Sequence, residues 1–199
     1  MAEISVKKSI YGYVKGKTET LANGLPYSKA MLAKLRKGVG KRLESNPDAW
    51  DILLEGLDER LLSSDGTVSI AEEAIYAALT LYAVHQQGKS EQMSRGNDSF
   101  GAAIKKLKNP DGSNEESIRR RFNAIVTAND FAEITHYTRG MVQMLKSKDI
   151  PLDYGLFASD LYELHFPIMK NKVMLRWGED YYRKGRNNKE EREEATNEE

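Results

Sequence analysis

Three clusters of cations carry the chemistry legible in this chain. The densest is Arg119, Arg120 and Arg121, inside a stretch from Ser113 to Asn129 that reads as a helix. Ser113 and Glu116 have the spacing of a capping box. Ile118, Phe122, Ile125 and Val126 then recur on one apolar face, and the arginines fan around the other side. Guanidinium groups on a rigid helix present a fixed fork of donors suited to an anion. Glu115 and Glu116 lie four residues before Arg119 and Arg120, the spacing of ordinary surface salt bridges. Arg121 has no acidic residue at i±3 or i±4, so it is either solvated with its stem packed down or positioned for an anion from outside the chain. On that difference, Arg121→Ala is expected to weaken anion binding more than Arg120→Ala.

The second cluster is Arg36 and Lys37, part of a run between Ser28 and Arg42 that also holds Lys29, Lys34, Lys41 and Arg42 and no acid. Cations at a helix C-terminus answer the macrodipole, yet six exceed what capping requires. The third is Lys105 and Lys106, joined to the arginine helix by the turn Asn109-Pro110-Asp111-Gly112. A tight helix–turn–helix would make one patch of these two clusters. Lys170, Lys172 and Arg176 add cations on the polar side of the last helix, with Glu179 and Asp180 available as internal partners.

Other chemistries are excluded or unsupported. The chain has no cysteine, so thiol catalysis, disulfides and cysteine-based zinc sites are excluded. His85, His136 and His165 are scattered without metal-ligand spacing, and His85 ends an apolar stripe, the place of a core histidine. No glycine-rich phosphate loop occurs. No metal, cofactor or catalytic residue is therefore expected, and the isolated protein should cut neither DNA nor RNA.

The 199 residues carry 30 basic and 30 acidic side chains, but the charges are segregated. Lys189–Glu199 holds two basic and six acidic residues, which leaves 28 basic against 24 acidic in the rest, a body of +4. No apolar run approaches the ~20 residues of a membrane span and no signal core opens the chain, so a cytoplasmic protein with no membrane partner is expected.

The elements that must position these cations read as an all-α helical bundle of about eight or nine helices, with no alternating strand. Residues 4–87 form one small lobe, 88–98 a polar connecting loop, 99–184 a second lobe, and 185–199 a charged, disordered tail. In the first lobe Ile4, Ile10, Tyr11 and Val14 suggest a helix weakened by Gly12 and Gly16. Met31, Leu32 and Leu35 face inward on the next. Asn46-Pro47 opens a third with Trp50, Leu53, Leu54, Leu57 and Leu61 inward. Ser69 and Glu72 cap a fourth. In the second lobe Ser99 or Asp98, Asp130 and Asp153 begin helices, Tyr137 faces inward with Met141, and Pro167 precedes a last helix through Val173, Trp177 and Tyr181.

Read in order, Leu35-Arg36-Lys37-Gly38, Ser99-Phe-Gly-Ala-Ala-Ile104, Ile118-Arg-Arg-Arg-Phe-Asn-Ala-Ile125, Ile150-Pro-Leu-Asp-Tyr154 and Leu175-Arg-Trp-Gly-Glu-Asp-Tyr-Tyr182 resemble the motifs of the CasB family, the small subunit of the type I-E CRISPR surveillance complex, Cascade. The likeness covers roughly Lys29 to Tyr182; Lys37 stands where a second arginine is commoner. The resemblance implies a non-enzymatic subunit of two helical lobes. Its partners would be other Cascade subunits, a second copy of itself, the guide RNA, the target DNA and the displaced strand. Arg36, Lys37 and Arg119 to Arg121 would contact phosphate, with Lys105, Lys106, Lys170, Lys172 and Arg176 as further contacts. A helix–turn–helix DNA-binding regulator and a purely structural interaction protein are the alternatives; the first would need base-reading side chains, and only Asn123 lies near the arginines.

Overall fold

The computed structural model describes residues 2–183. They form nine α-helices: α1 (Ala2–Leu21), α2 (Pro26–Lys37), α3 (Trp50–Leu54), α4 (Ile70–Gln86), α5 (Phe100–Lys105), α6 (Glu115–Val126), α7 (Phe131–Ser147), α8 (Tyr154–Glu163) and α9 (Pro167–Tyr182). Three 3-10 turns, at Leu43–Ser45, Pro47–Ala49 and Glu59–Leu61, complete the set. The described residues contain no strand, only an isolated bridge between Ser94 and Leu152. Among them no helix is long and apolar enough to cross a membrane. The charged segment 185–199, residue 184 at the end of the second lobe, and the Ile4 side chain lie outside what is described.

Helix α4 is the centre. Fourteen of its seventeen residues are buried, so it is covered from every side, the pattern of a core helix rather than a surface one. Its start is the expected capping box: Glu72 N donates to Ser69 Oγ at 3.0 Å and Ser69 N to Glu72 Oε2 at 2.7 Å. Around it pack α1, α2, α7 and α8. Across the connection 88–98, α8 lies against both α1 and α4, and α7 against α4. Gln86 pins that connection, donating to the carbonyls of Lys89 and Glu91 and accepting from Met93 N.

Ser99, Asp130 and Asp153 cap α5, α7 and α8 as their spacing predicts. Several local expectations are corrected. The helix expected after Pro47 is broken, because Gly56 at φ +73° turns the chain. Leu53, Leu57 and Leu61 are still buried, but Trp50 and Leu54 are 43% and 39% exposed. The Asn46 side chain makes no cap at Pro47; it donates to Tyr76 Oη at 2.9 Å. Helix α6 starts at Glu115 rather than Ser113. Asn114 there uses its side chain on the preceding turn, accepting from Asn109 N at 2.7 Å and donating to Leu107 O at 2.9 Å. Tyr137 is 41% exposed and does not join the inner face of α7. Gly12 and Gly16 do not stop α1, which runs through both.

Two buried ionisable groups bear on the acid response with opposite signs. Asp160 is 1% exposed; Arg176 donates to one carboxylate oxygen and Trp177 Nε1 to the other at 2.6 Å. Burial pushes this carboxyl up to about 6, against the pull of Arg176 and the indole. His85 is fully buried with Nδ1 3.1 Å from Tyr154 Oη, and burial brings its pKa down to about 4. Between pH 4 and 6 the folded chain holds a proton on Asp160 that the unfolded chain has released, so this group lowers stability as pH rises. His85 does the opposite: the unfolded chain binds its proton below 6.5 and the folded chain does not, so stability rises with pH. The two slopes offset in the native protein. Asp160→Asn should expose the histidine slope, a gain of about 2 kcal/mol from pH 4.5 to 6.5. Denaturant midpoints across that range check it; a flat profile in the variant contradicts the assignment.

Candidate nucleic-acid interface

Helix α6 is held by its apolar face. Ile118, Phe122 and Ile125 are buried, α6 packs along α7, and Phe122 stacks on Tyr181 with ring centroids 4.7 Å apart. Arg119, Arg120 and Arg121 are exposed on the opposite side. The expected Glu115–Arg119 bridge does not form. Glu115 is taken from across the turn by Lys108, Nζ to Oε1 2.8 Å, and that hydrogen bond holds its carboxyl below the usual glutamate range. Glu116 makes no ion pair with Arg120 either. All three arginines are thus without an ion-pair or hydrogen-bond partner among the described residues, and the expected distinction between Arg121 and its neighbours disappears.

The lysines across the turn are used internally. Lys105 donates to the Arg183 carbonyl at the end of α9, and Lys106 pairs with Asp98 at 2.5 Å. Lys108 also sits 4.2 Å over the Tyr181 ring. Helix α5 packs along α9 rather than along α6, so the hairpin does not merge the two clusters as the turn suggested.

Arg36 is half-buried at the end of α2 and Lys37 is exposed. Arg36 joins two cations that the sequence does not single out. Burial lowers the Lys146 pKa, and the charges of Lys89 and Arg36 lower it further. Lys146 donates to Gln87 Oε1 at 3.1 Å and Lys89 pairs with Asp149 at 2.5 Å. The ends of α2, α4 and α7 thereby gather three positive charges against one carboxylate.

Beyond Lys37 the chain turns through Gly38 to Glu44 and forms one wall of a groove of about 610 Å³. Tyr76 Oη donates to the Gly38 carbonyl at 3.0 Å and holds the turn down. The opposite wall is the first half of α7, with His136 and Arg139. Lys41, Arg42 and Arg139 make the rim cationic, and Val68, Ala77, Leu81 and Phe131 line the floor. Two carboxylates share it: Glu44 pairs with Arg42 at 2.9 Å, and burial raises the Glu73 pKa against the charge of Arg42. Lys41 and Arg42 belong to the acid-free run of the sequence. Arg139 was missed there; its only signal is its place on the outer face of α7, three residues after His136.

The cations of α9 differ among themselves. Lys170 Nζ donates to the carbonyls of Ala128 and Asn129 at 2.8 and 3.1 Å, closing the chain end after α6. Arg176 pairs with Asp160 and, at 3.7 Å, with Glu163, not with Glu179 or Asp180 as expected; Asp180 accepts instead from Ser99 Oγ at 2.6 Å. Lys172 is exposed and has no partner among the described residues. These residues also contain no group of histidines and carboxylates placed to hold a metal ion.

Residues 31–182 match the family model described as CRISPR-associated protein Cse2. The solved structure of CasB from Thermobifida fusca is similar at a TM-score of 0.72 and 30% identity, over 89% of this chain and 97% of that one. CasB of M. ruber is similar at 0.57 and 23%, over 89% and 93%. A chain of a CRISPR RNA-guided surveillance complex is similar at 0.68 and 21%, over 89% and 94%. No curated protein matches. With the family model spanning three-quarters of its length, the chain belongs to the CRISPR-associated Cse2 family.

Proposed function

We propose that this chain is the non-catalytic small subunit of a type I-E Cascade complex. It lines the nucleic-acid channel and stabilises the guide RNA–target DNA duplex and the displaced strand through sequence-independent phosphate contacts. The observation that carries the proposal is the unpartnered triplet Arg119, Arg120 and Arg121 on an anchored helix. A duplex of ~20 bp held by its backbone needs rigid cations and no base-reading groups, and phosphate is the ligand their forks fit. The cationic groove rim and the Arg36 cluster extend the set. Copurification from the native host tests the assignment: a tagged chain should bring down guide RNA and the other Cascade subunits. Recovery of the chain with neither would contradict it.

Of the ten cations expected to touch nucleic acid, five remain outward and unpartnered in this proposal: Lys37, Arg119, Arg120, Arg121 and Lys172. Arg36 stands half-buried in its own cluster. Lys105, Lys106, Lys170 and Arg176 serve the fold first. Arg176→Ala is expected to lower stability by about 1–2 kcal/mol, since it leaves Asp160 buried without its cation while Arg176 itself is partly solvated. Target binding by the assembled complex should hold. Single alanines at 119, 120 and 121 should do the reverse, and to a similar extent. Denaturation midpoints read beside binding isotherms distinguish the classes; binding lost with Arg176 at unchanged stability would contradict the division.

A further inference from the structure

The end of α9 delivers the chain to α6. Tyr181 stacks on Phe122 of that helix, ring centroids 4.7 Å apart. Lys108, on the turn before α6, stands 4.2 and 5.8 Å from the ring centroids of Tyr181 and Tyr182. Lys105 donates to the Arg183 carbonyl, and the Arg183 side chain lies 3.4 Å from Asp180. The chain therefore leaves α9 from an anchored point on the buried side of α6. Across the helix, Arg119, Arg120 and Arg121 are exposed and without an ion-pair partner among the described residues. Glu116 is exposed on the same side and offsets one charge; Glu115 is held by Lys108.

The sequence beyond that anchor has the opposite charge. Lys184, Arg186 and Lys189 come first, and 190–199 then holds six glutamates against one cation, Arg192. A run of this kind is a common interaction segment. Glu190 is eight residues beyond Tyr182, a reach of up to about 26–29 Å, and α6 with its side chains is only about 10–12 Å across. The glutamates can thus pass over α6 to its outer side. A tether this short sets their effective concentration in the millimolar range. To pair instead with Lys184, Arg186 and Lys189, the chain must double back and order both runs together. The three guanidiniums are already fixed on a packed helix, which lowers the ordering cost, and their forks fit carboxylate as well as phosphate.

We propose that the acidic segment 190–199 docks on the outer face of α6 as the internal counter-charge of Arg119, Arg120 and Arg121. The proposal rests on the phosphate reading of that triplet: the carboxylates take the place that phosphate takes in the assembled complex. A nucleic-acid duplex, with one charge per about 1.7 Å of its axis, displaces the segment when many contacts form at once. A polyanion that makes only one or two contacts does not. The segment thereby lowers sequence-independent binding by the free chain.

The absence of cysteine makes a direct test available. Asn123 is exposed on α6, one turn beyond Arg119 and Arg120. Asn123→Cys with Ala195→Cys puts one thiol on the face and one in the segment and leaves every charge in place. Mild copper–phenanthroline oxidation of the purified full chain should link the two within one molecule. Glu190→Gln, Glu191→Gln, Glu193→Gln and Glu194→Gln together should slow the linking roughly threefold to tenfold, the worth of a few exposed ion pairs. Alanine at 119, 120 and 121 should slow it equally, and the two sets combined should slow it no further. A rate that neither set changes would overturn the proposal. So would a rate that only the glutamine set changes, which would place the segment on other cations. The second readout is fluorescence anisotropy with a DNA duplex of about 20 bp and arbitrary sequence. The glutamine set should tighten binding roughly threefold to tenfold with the arginines present and not with alanines there; equal tightening in both would show bulk repulsion and overturn the competition. The two readings fail separately. Linking that needs both sets, with DNA binding that ignores the arginines, contradicts the phosphate contacts and leaves the docking. Linking that ignores both, with DNA binding that needs the arginines, does the reverse.

Discussion

Gly101→Ala is expected to lower the stability of the chain by about 3 kcal/mol or more, the upper end of what overpacking costs. Helix α5 crosses α9 at backbone distance at this residue. A Cβ on Gly101 would lie 2.7 Å from the carbonyl carbon of Trp177 and 2.8 Å from its Cα. Those atoms belong to a helix backbone and cannot rotate away, so α9 must shift as a body. The shift would pull Trp177 from Phe100, 4.8 Å between centroids, and strain the Trp177–Asp160 hydrogen bond. Gly140→Ala is the control: its Cβ would meet nothing within 4 Å on α7, and the helix should gain up to about 1 kcal/mol. Guanidinium titration of the two variants gives the comparison. An unchanged midpoint for Gly101→Ala would mean that α5 and α9 do not cross as described.

Gly101 also shows what a sequence discloses and what it withholds. The segment from Ser99 to Ile104 carries the family likeness, yet nothing in it says why position 101 is glycine; the reason is the backbone of a helix more than seventy residues away. Local signals read well because their causes are local. The capping box at Ser69 and the caps at Ser99, Asp130 and Asp153 satisfy N–H groups within three residues. The apolar spacing of Val173, Trp177 and Tyr181 on α9 survives because burial enforces it. The stretch after Pro47 read less well, since Gly56 outweighed an apolar period that continued through it.

The candidate interface divides along the same line. The arginine triplet was legible as a helix face with charges turned away from the core. Which acid answers which cation was not. Spacing put Glu115 on Arg119, whereas Lys108 reaches it across the turn and so leaves the triplet free. Arg176 found Asp160 on α8 in place of its own helix neighbours. Arg139 and Lys41 share a groove only because α7 packs against α4 beside the Gly38 turn. Ion-pair choice is decided by tertiary distance, and a sequence gives that only within one helix.

Replacing Arg119, Arg120 and Arg121 together by alanine should have the largest effect on binding of any change in this chain. Each phosphate contact contributes about 0.9 to the slope of log K against log salt, about eightfold in affinity between 1 M and 0.1 M. Three such contacts are worth on the order of a hundredfold or more at 0.1 M. Stability should change by less than about 0.5 kcal/mol per residue, because the side chains are exposed and hold no partner. The loss should be alike for unrelated target sequences, since phosphates carry no sequence information.

The most direct measurement is target-DNA binding by the complex assembled with the triple variant, taken at several salt concentrations beside the native complex. The account predicts normal assembly, affinity reduced at low salt, and a salt slope shallower by between two and three counterions, about 0.9 for each arginine–phosphate pair removed. Normal assembly with unchanged affinity and an unchanged slope would contradict it.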